Sequence, residues 1–555
     1  MLHFLKRSRV QIKALILILL SCLILILVVS VGYIRNEGFA EKISNLHEHI
    51  SKHVLKSITS IKNGNINHMD PSHIHIDKKV YGSYSELFQL LAKSKPNCKP
   101  LTQYVKDNHN IQKFPKDNVK FNKDLLENLL ILKNDDKLKL FESYETFVSG
   151  LHNLSLDVFG TEVNKPIEGN GVVIVGGGKF SWLTLLNIHQ LRKTGSNLPV
   201  EVYIPSPQDY DPSFCNEILP MVNSRCILGY EELPLKQVYK AFKLKTFEYK
   251  ILAILTSSFE NVLMLDADNL LLTNPDRLFN WDLYLKKQLI LWPDCWMRTT
   301  NPFLFDLLHI DVDYSNTDSN INYDVHELPG SVPNPSTESG MLLVNKRSHV
   351  NTLLLALYMN VYGSDYYYPL LTQGGSGQGD KDSYIMAAYA LEESVYQVKQ
   401  DVVFLGRYPE SGFVAGGLGQ CDPMTEKEKY VAENNILNEP CDEFMFIHLS
   451  NPKYFPDEIT PNFRDENGND FREFEDSRIK YDFELQVWEI MCQLLCQSYQ
   501  QNKIVSETLE SSLIDPKFRL SAQSMSYIKS MRINKICDIQ LLPHLQFLRS
   551  NPVNR

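Results

Sequence analysis

Residues 262–279 read VLMLDADNLLLTNPDRLF, an apolar run that stops at two carboxylates, Asp266 and Asp268, with one alanine between them. Such a run reads as a buried strand. Two neighbouring negative charges repel, so they call for a metal ion, a basic partner or plain exposure to water. Carboxylate oxygens are hard ligands that suit Mg²⁺ and Mn²⁺, and substrate phosphates commonly complete the shell of those ions. Asp-x-Asp is common in surface loops. Placed after a buried strand and before Asn269, it points to a metal that neutralises the pair and holds a diphosphate.

The surroundings supply the rest of a sheet. KLKTFEYKILAILTSSF, ahead of the strand, puts Leu244, Phe247, Ile251 and Leu255 on one helical face. Further upstream, GVVIVGGG is a β-branched run ended by Gly176, Gly177 and Gly178. KFSWLTLLNIHQLRKTG follows at helical spacing through Trp182, Leu185, Leu186 and Ile188, and Gly195 closes it. LPVEVYIP then alternates Val200, Val202 and Ile204 as a strand does. Strand–helix–strand–helix–strand predicts an α/β fold with parallel strands. Ligands bind beyond the carboxyl ends of such strands, so the glycines and the two aspartates are expected to line one crevice. VGGGK is not a Walker loop, because Val173 and Phe180 stand where Gly and Ser/Thr are required. No G-x-G-x-x-G is present either. The glycines read as a tight strand-to-helix turn or as a place where a nucleotide approaches the backbone.

The chain has 555 residues, 43% of them apolar, and a formal net charge of −10. That balance argues against a general nucleic-acid binder. From Ala14 to Ile34 no residue is charged, a length that suffices for one bilayer-spanning helix of roughly 20 residues. Lys6, Arg7, Arg9 and Lys13 precede it, and the positive-inside rule sends everything after Ile34 across the membrane. The reading is a cytosolic tail at 1–13, a transmembrane signal anchor at 14–34 and a luminal stem at 35–80, in which His68, His73 and His75 are solvated. A helical accessory segment at 81–165, a catalytic domain at 166–505 and a C-terminal extension at 506–555 complete the order. An oxidising lumen permits disulfides. Cys215 with Cys226 and Cys421 with Cys441 are the nearest partners, and the nine cysteines beyond the span leave at least one thiol over. Cys492 and Cys496 lie one helical turn apart, but no second Cys/His pair joins them in a zinc site. Asn153-Leu154-Ser155 is an N-glycosylation sequon.

FENVLMLDADNLLLTNPDRLF and YKILAILTSSF resemble the fungal Golgi α-mannosyltransferases that branch the mannan outer chain. So do GVVIVGGGKFSWLTLLNIHQLRKTGSNLPVEVYI, STESGMLLVNK, GQGDKDSYIMAA and FIHLSNPKYFP, in order across about residues 168–460. The α-1,2-transferring branch is nearest, with the α-1,3-transferring branch as the close alternative. The resemblance implies a GT-A-like fold with a mixed, mainly parallel central sheet on a membrane-anchored stem. It also implies a type II Golgi membrane enzyme that uses GDP-mannose and Mn²⁺ on mannan or N-glycan acceptors. Asp266 and Asp268 would then hold Mn²⁺ together with His448, in FIHLSNPK. Lys453, Lys250 and Gly176–Gly178 would belong to the donor site, with Asp266. Asp380, in GDKDSY, would lie beside the anomeric carbon, while Asp382 and Glu338 would grip acceptor hydroxyls. Both aspartates of GDKDSY also suit a helix N-cap. An α-donor giving an α-product requires a covalent intermediate or same-face attack. Two other readings stand beside this one: an inactive luminal scaffold that binds mannan, and transfer of mannose phosphate or another sugar by the same fold.

Overall fold

The computed structural model describes residues 78–553 apart from interior stretches, the longest being 155–166, 427–440 and 497–521. The segments expected as tail, anchor (14–34) and nearly all of the stem, together with Asn153, lie outside the described residues. Among the described residues, no helix is long and apolar enough to cross a membrane.

Four strands open the chain's sheet: β1 (Asn170–Val175), β2 (Val200–Ile204), β3 (Ser224–Leu228) and β4 (Asn261–Leu265). A short β5 (Asn269–Leu271) follows, then β6 (Leu289–Pro293), β7 (Thr337–Asn345) and β8 (Tyr396–Gln397). The last strands are β9 (Val403–Arg407), β10 (Val414–Cys421) and β11 (Phe444–Leu449). The main sheet has seven strands in the order β3-β2-β1-β4-β7-β6-β8, and β5-β11-β10-β9 make a second sheet. Strands β1 to β4 are parallel, with Ile174 opposite Val202 and Leu265, whereas β7 runs antiparallel between β4 and β6. The mixed, mainly parallel sheet expected from the sequence is what forms.

Alternation along β1 and β4 divides two cores. Val173 and Met264 face one apolar cluster, while Val172, Ile174, Leu263 and Leu265 face the other. Strands covered on both faces read as unbroken apolar runs, which is why NVLML looks as it does. The first cluster takes in helices α1 (Lys78–Lys93) and α2 (Asn134–Leu151) through Phe88, Leu91, Tyr144 and Phe147. On the second face lies α3 (Phe180–Lys193), buried from Ser181 to Leu191. The α4 helix (Thr246–Thr256) packs on β1 and on α5 (Val350–Val361). It departs from the one-faced expectation: Lys250 to Thr256 are all buried, because the sheet and α5 enclose the helix.

α6 (Ser383–Ala390) and α7 (Phe483–Leu495) follow, and α8 (Leu542–Ser550) packs on α7. Arg472 donates to the carbonyls of Leu548 and Asn551 at 2.8 and 2.7 Å. Cys215–Cys226 and Cys421–Cys441 are bonded, as the spacing suggested. Cys496 bonds Cys537, a pairing across 41 residues that local spacing does not reveal. Among the described residues Cys98, Cys295 and Cys492 are free thiols.

Candidate active site

The sheet's topology assembles the site. Strand β4 ends at Leu265, and the next residue, Asp266, donates its backbone N–H to the Gly340 carbonyl at 2.8 Å. Because β7 is antiparallel to β4, its first residues, Glu338 and Ser339, arrive at the end where β4 stops. Strand β11 pairs with β5 so that His448 lies opposite Asn269, and Leu449 N–H bonds the Asp268 carbonyl at 2.9 Å. Two asparagines fix the turn: Asn187, which sequence reading missed, and Asn269, noted there only as the residue after the aspartates. Asn187 of α3 donates to the carbonyls of Asp266 and Asn269 at 3.2 and 2.9 Å, and Asn269 donates to the Gly340 carbonyl at 2.7 Å. The one signal for Asn187 was a polar residue between the apolar positions Leu186 and Ile188 of α3.

The charges answer the repulsion posed by Asp266 and Asp268. Lys250 Nζ lies 2.9 Å from Asp266 Oδ2 and 3.6 Å from Asp380 Oδ2, and it donates to the Ser339 carbonyl at 3.1 Å. Lys453 pairs with Asp268, whose other oxygen is 3.6 Å from His448 Nε2. His448 Nδ1 is 3.8 Å from Glu338 Oε2, an electrostatic pairing beyond hydrogen-bond reach. The other Glu338 oxygen accepts the N–H groups of Ser339 and Gly340 at 2.9 and 2.7 Å. Burial works against a charged His448, but Glu338, Asp268 and Asp266 outweigh it and raise the imidazole to about 9. Burial likewise opposes ionisation of Glu338, yet His448 and Lys250 hold it near 2. Asp266 is raised by burial, with Lys250 pulling it down and Asp268 pushing it up. Burial opposes the Lys250 charge, and Asp266 and Asp380 overcome that and raise its pKa.

Asp266, Asp268, Glu338, Asp380, His448, Lys250 and Lys453 therefore form one connected set. Asp380 is 2% exposed and raised by burial; its Oδ1 accepts the Ser339 hydroxyl at 2.9 Å. The glycine turn leaves β1, the strand beside β4, at the same edge of the sheet. Gly177 and Gly178 have φ of +99° and +54°, and a Cβ on Gly177 would come within 2.7 Å of Asp209 Cβ. Asp382 departs from the expected contact with acceptor hydroxyls. It is 1% exposed, accepts the Thr337 N–H at 2.8 Å and pairs with Arg298, itself buried. Arg298 also donates to Thr337 Oγ1, Gln397 Oε1 and the Pro333 carbonyl. Asp382 thus braces the loop that delivers Asp380 and the start of β7.

The donor set suits a hard divalent cation: carboxylates of Asp266 and Asp268, an imidazole, and a nearby glutamate. His448 Nδ1 is buried without a hydrogen-bond partner. A Cβ on Gly340 would lie 3.1, 3.5 and 3.6 Å from Glu338, His448 and Asn269 side-chain atoms, so glycine keeps that space open. Among the described residues, no three His, Cys, Asp or Glu side chains already converge as a metal cluster. Lys250 instead pairs with Asp266, and Lys453 with Asp268.

Residues 169–430 match the family model described as "Mannosyltransferase putative". The chain is 34% identical to the alpha-1,2-mannosyltransferase MNN2 of Candida albicans over 473 residues, covering 78% of each protein. The chain belongs to the fungal alpha-1,2-mannosyltransferase family. MNN2 of Saccharomyces cerevisiae is 31% identical over 78% of this chain and 82% of its own length. Remote structural likenesses include mouse xyloside xylosyltransferase 1, at 13% identity and a TM-score of 0.27 over 42% of this chain and 86% of that one. The galactosyltransferase LgtC with donor and acceptor sugar analogues stands at 13% and 0.24 over 42% and 73%.

Proposed function

We propose that the protein is a Golgi type II membrane enzyme of GT-A-like fold. It transfers mannose from GDP-mannose, with retention, in α-1,2 linkage to mannan or N-glycan outer chains. The observation that carries this reading is the meeting of Asp266, Asp268, Glu338 and His448 at the carboxyl end of β4, from three separate stretches of chain: the β4–β5 turn, β7 and β11. Membership of an alpha-1,2-mannosyltransferase family supports the sugar and the linkage. Asp266, Asp268 and His448 would hold Mn²⁺, which when bound neutralises the charge of a sugar-nucleotide diphosphate.

The chain's own residues do the rest. Lys453, half-exposed beside Asp268, is placed to meet phosphate oxygens, and the exposed Gly178 end of the left-handed turn is where a nucleotide would approach the backbone. Lys250 opposes the effect of burial on Asp266 and orders Asp380 through a shared ammonium. Asp380 is the carboxylate assigned to the anomeric carbon, where it steadies positive charge or attacks. Glu338, held ionised near the start of β7, is assigned to acceptor hydroxyls. Asp382 positions this loop through Arg298.

The test is incubation of the full chain with GDP-mannose, Mn²⁺ and α-mannan oligosaccharides, with the product's anomeric configuration and linkage read by NMR. An α-1,2-linked mannose supports the reading. A β-linked product, or transfer of mannose phosphate, overturns it.

A further inference from the structure

The second sheet carries a row of side chains leading away from the candidate site. Directly paired residues in adjacent strands point to the same face. The registers place Asn269 opposite His448, His448 opposite Leu418, and Leu418 opposite Phe404. Exposure grows along that row: Asn269 is buried, His448 and Leu418 are half-buried, and Phe404 on the edge strand β9 is 36% exposed. Two strand spacings, about 10 Å, separate Phe404 from His448. The strand period keeps Gly406 on the face of Phe404, and Tyr408 follows directly after the end of β9, roughly 13 Å along from Phe404.

At the hairpin tip Tyr408 is 81% exposed, and its ring lies 4.9 Å from that of Phe413, also exposed. Phe404 meets Phe114 edge-on at 5.8 Å, and Phe114 stacks on Trp296 at 4.7 Å. The chain around Trp296 hydrogen-bonds Ser336, two residues before Glu338. One end of this aromatic wall therefore starts beside Glu338 and the other runs out along the hairpin. From behind, Arg407 pins the hairpin by stacking 3.6 Å over Phe471 and pairing with Glu473. Beyond His448, the row from Leu418 through Phe404 and Gly406 to Tyr408 carries no ionised side chain.

We infer that Phe404, Tyr408 and Phe413 form a track for the inner mannose units of an extended acceptor whose reacting end sits by Glu338. This rests on the proposed mannan-type acceptor and adds how that acceptor is held. A hexose has an apolar C–H face and hydroxyl rims, so it packs flat on an exposed aromatic ring while its polar groups stay in water. Exposed aromatic rings grouped along one hairpin, Phe404, Tyr408 and Phe413, mark a binding site. Its continuity with the crevice selects the acceptor as the occupant. The track makes the enzyme read acceptor length, independently of the donor.

The experiment compares the full chain with Tyr408→Ala and Phe404→Ala on methyl α-mannoside and on an α-linked mannohexaose. The account expects KM for the hexaose to rise about tenfold in Tyr408→Ala, equivalent to ~1.4 kcal/mol. KM for the short acceptor and for GDP-mannose should not change, nor should Tm, and Tyr408→Trp should restore the parent's preference. Equal KM changes for both acceptors, or none, overturn the track. A parent dimer that becomes monomeric in Tyr408→Ala with unchanged KM also overturns it, because the face would then join two copies. Titrating mannohexaose into the donor-free chain while following tryptophan emission separates this from the transfer reading. Hexaose binding lost in Tyr408→Ala supports the track even where no mannose moves, and hexaose binding unchanged in the variant removes it.

Discussion

Asp382→Asn distinguishes a group that holds the loop from one that touches substrate. The substitution keeps an oxygen for the Thr337 N–H but removes the charge opposite Arg298, whose guanidinium is buried with Asp382. Breaking a buried ion pair from one side costs about 3–5 kcal/mol, because the remaining charge stays desolvated. The bonds from Arg298 to Thr337, Gln397 and Pro333 survive, which puts the expected loss near the lower figure, ~3 kcal/mol. In a chain of this size, with an unfolding entropy of about 1 kcal/mol per kelvin, that corresponds to a fall in Tm of roughly 3 °C. Thermal unfolding followed by circular dichroism measures it, and transfer is assayed well below the variant's own Tm. Most activity should remain there. Replacing both partners, as Arg298→Met with Asp382→Leu, should return part of the stability, since two apolar groups leave no orphan charge. An Asp382→Asn protein with the parent's Tm and no transfer would refute this placement and return Asp382 to the acceptor site.

Two further outcomes check the fold around the site. Ile251→Asp puts a carboxylate at a fully buried position of α4, between β1 and α5, and should cost several kcal/mol and most of the soluble yield; a variant as stable as the parent would contradict the packing of α4. Glu473 faces Glu484 and Arg407, and burial with the Glu484 charge lifts it from an ordinary 4.5 to about 8 against the pull of Arg407. The unfolded chain therefore releases this proton at lower pH than the native one, so stability should fall as pH rises from about 4.5 to 8 and then level off. Urea unfolding across that range should show a shallower slope in Glu473→Gln, and an identical slope would show that Glu473 does not carry the effect.

How much of this was legible in the sequence follows from which contacts are local. β1 and β4 show themselves through unbroken apolar runs, β2 through alternation, and α3 and α4 through helical spacing, because each pattern is local in the chain. Asp266 and Asp268 were readable for the same reason. Resemblance singled out Glu338 and His448, but nothing in their spacing says that β7 turns antiparallel against β4 or that β11 pairs with β5. Those are pairings between distant segments, set by tertiary packing. Arg298 was invisible: a lone arginine in WMRTTN reads as a solvated residue, and only its burial reveals the partner that takes Asp382 out of the crevice. Asn187 and the Cys496–Cys537 bond were hidden similarly, each meaningful only through a remote partner.

The central claim is that Asp266 and Asp268 serve a divalent cation and a sugar diphosphate, with Lys250 and Lys453 balancing them in its absence. The most direct measurement is Asp268→Asn, assayed for mannose transfer against Mn²⁺ concentration alongside Mn²⁺ binding and Tm. The account predicts that the parent binds Mn²⁺ and requires it. The variant should lose both binding and transfer while keeping its Tm within about 0.5 kcal/mol of equivalent stability, since one of two repelling charges is gone. Full transfer by Asp268→Asn at low Mn²⁺, or a parent indifferent to chelator, would contradict it.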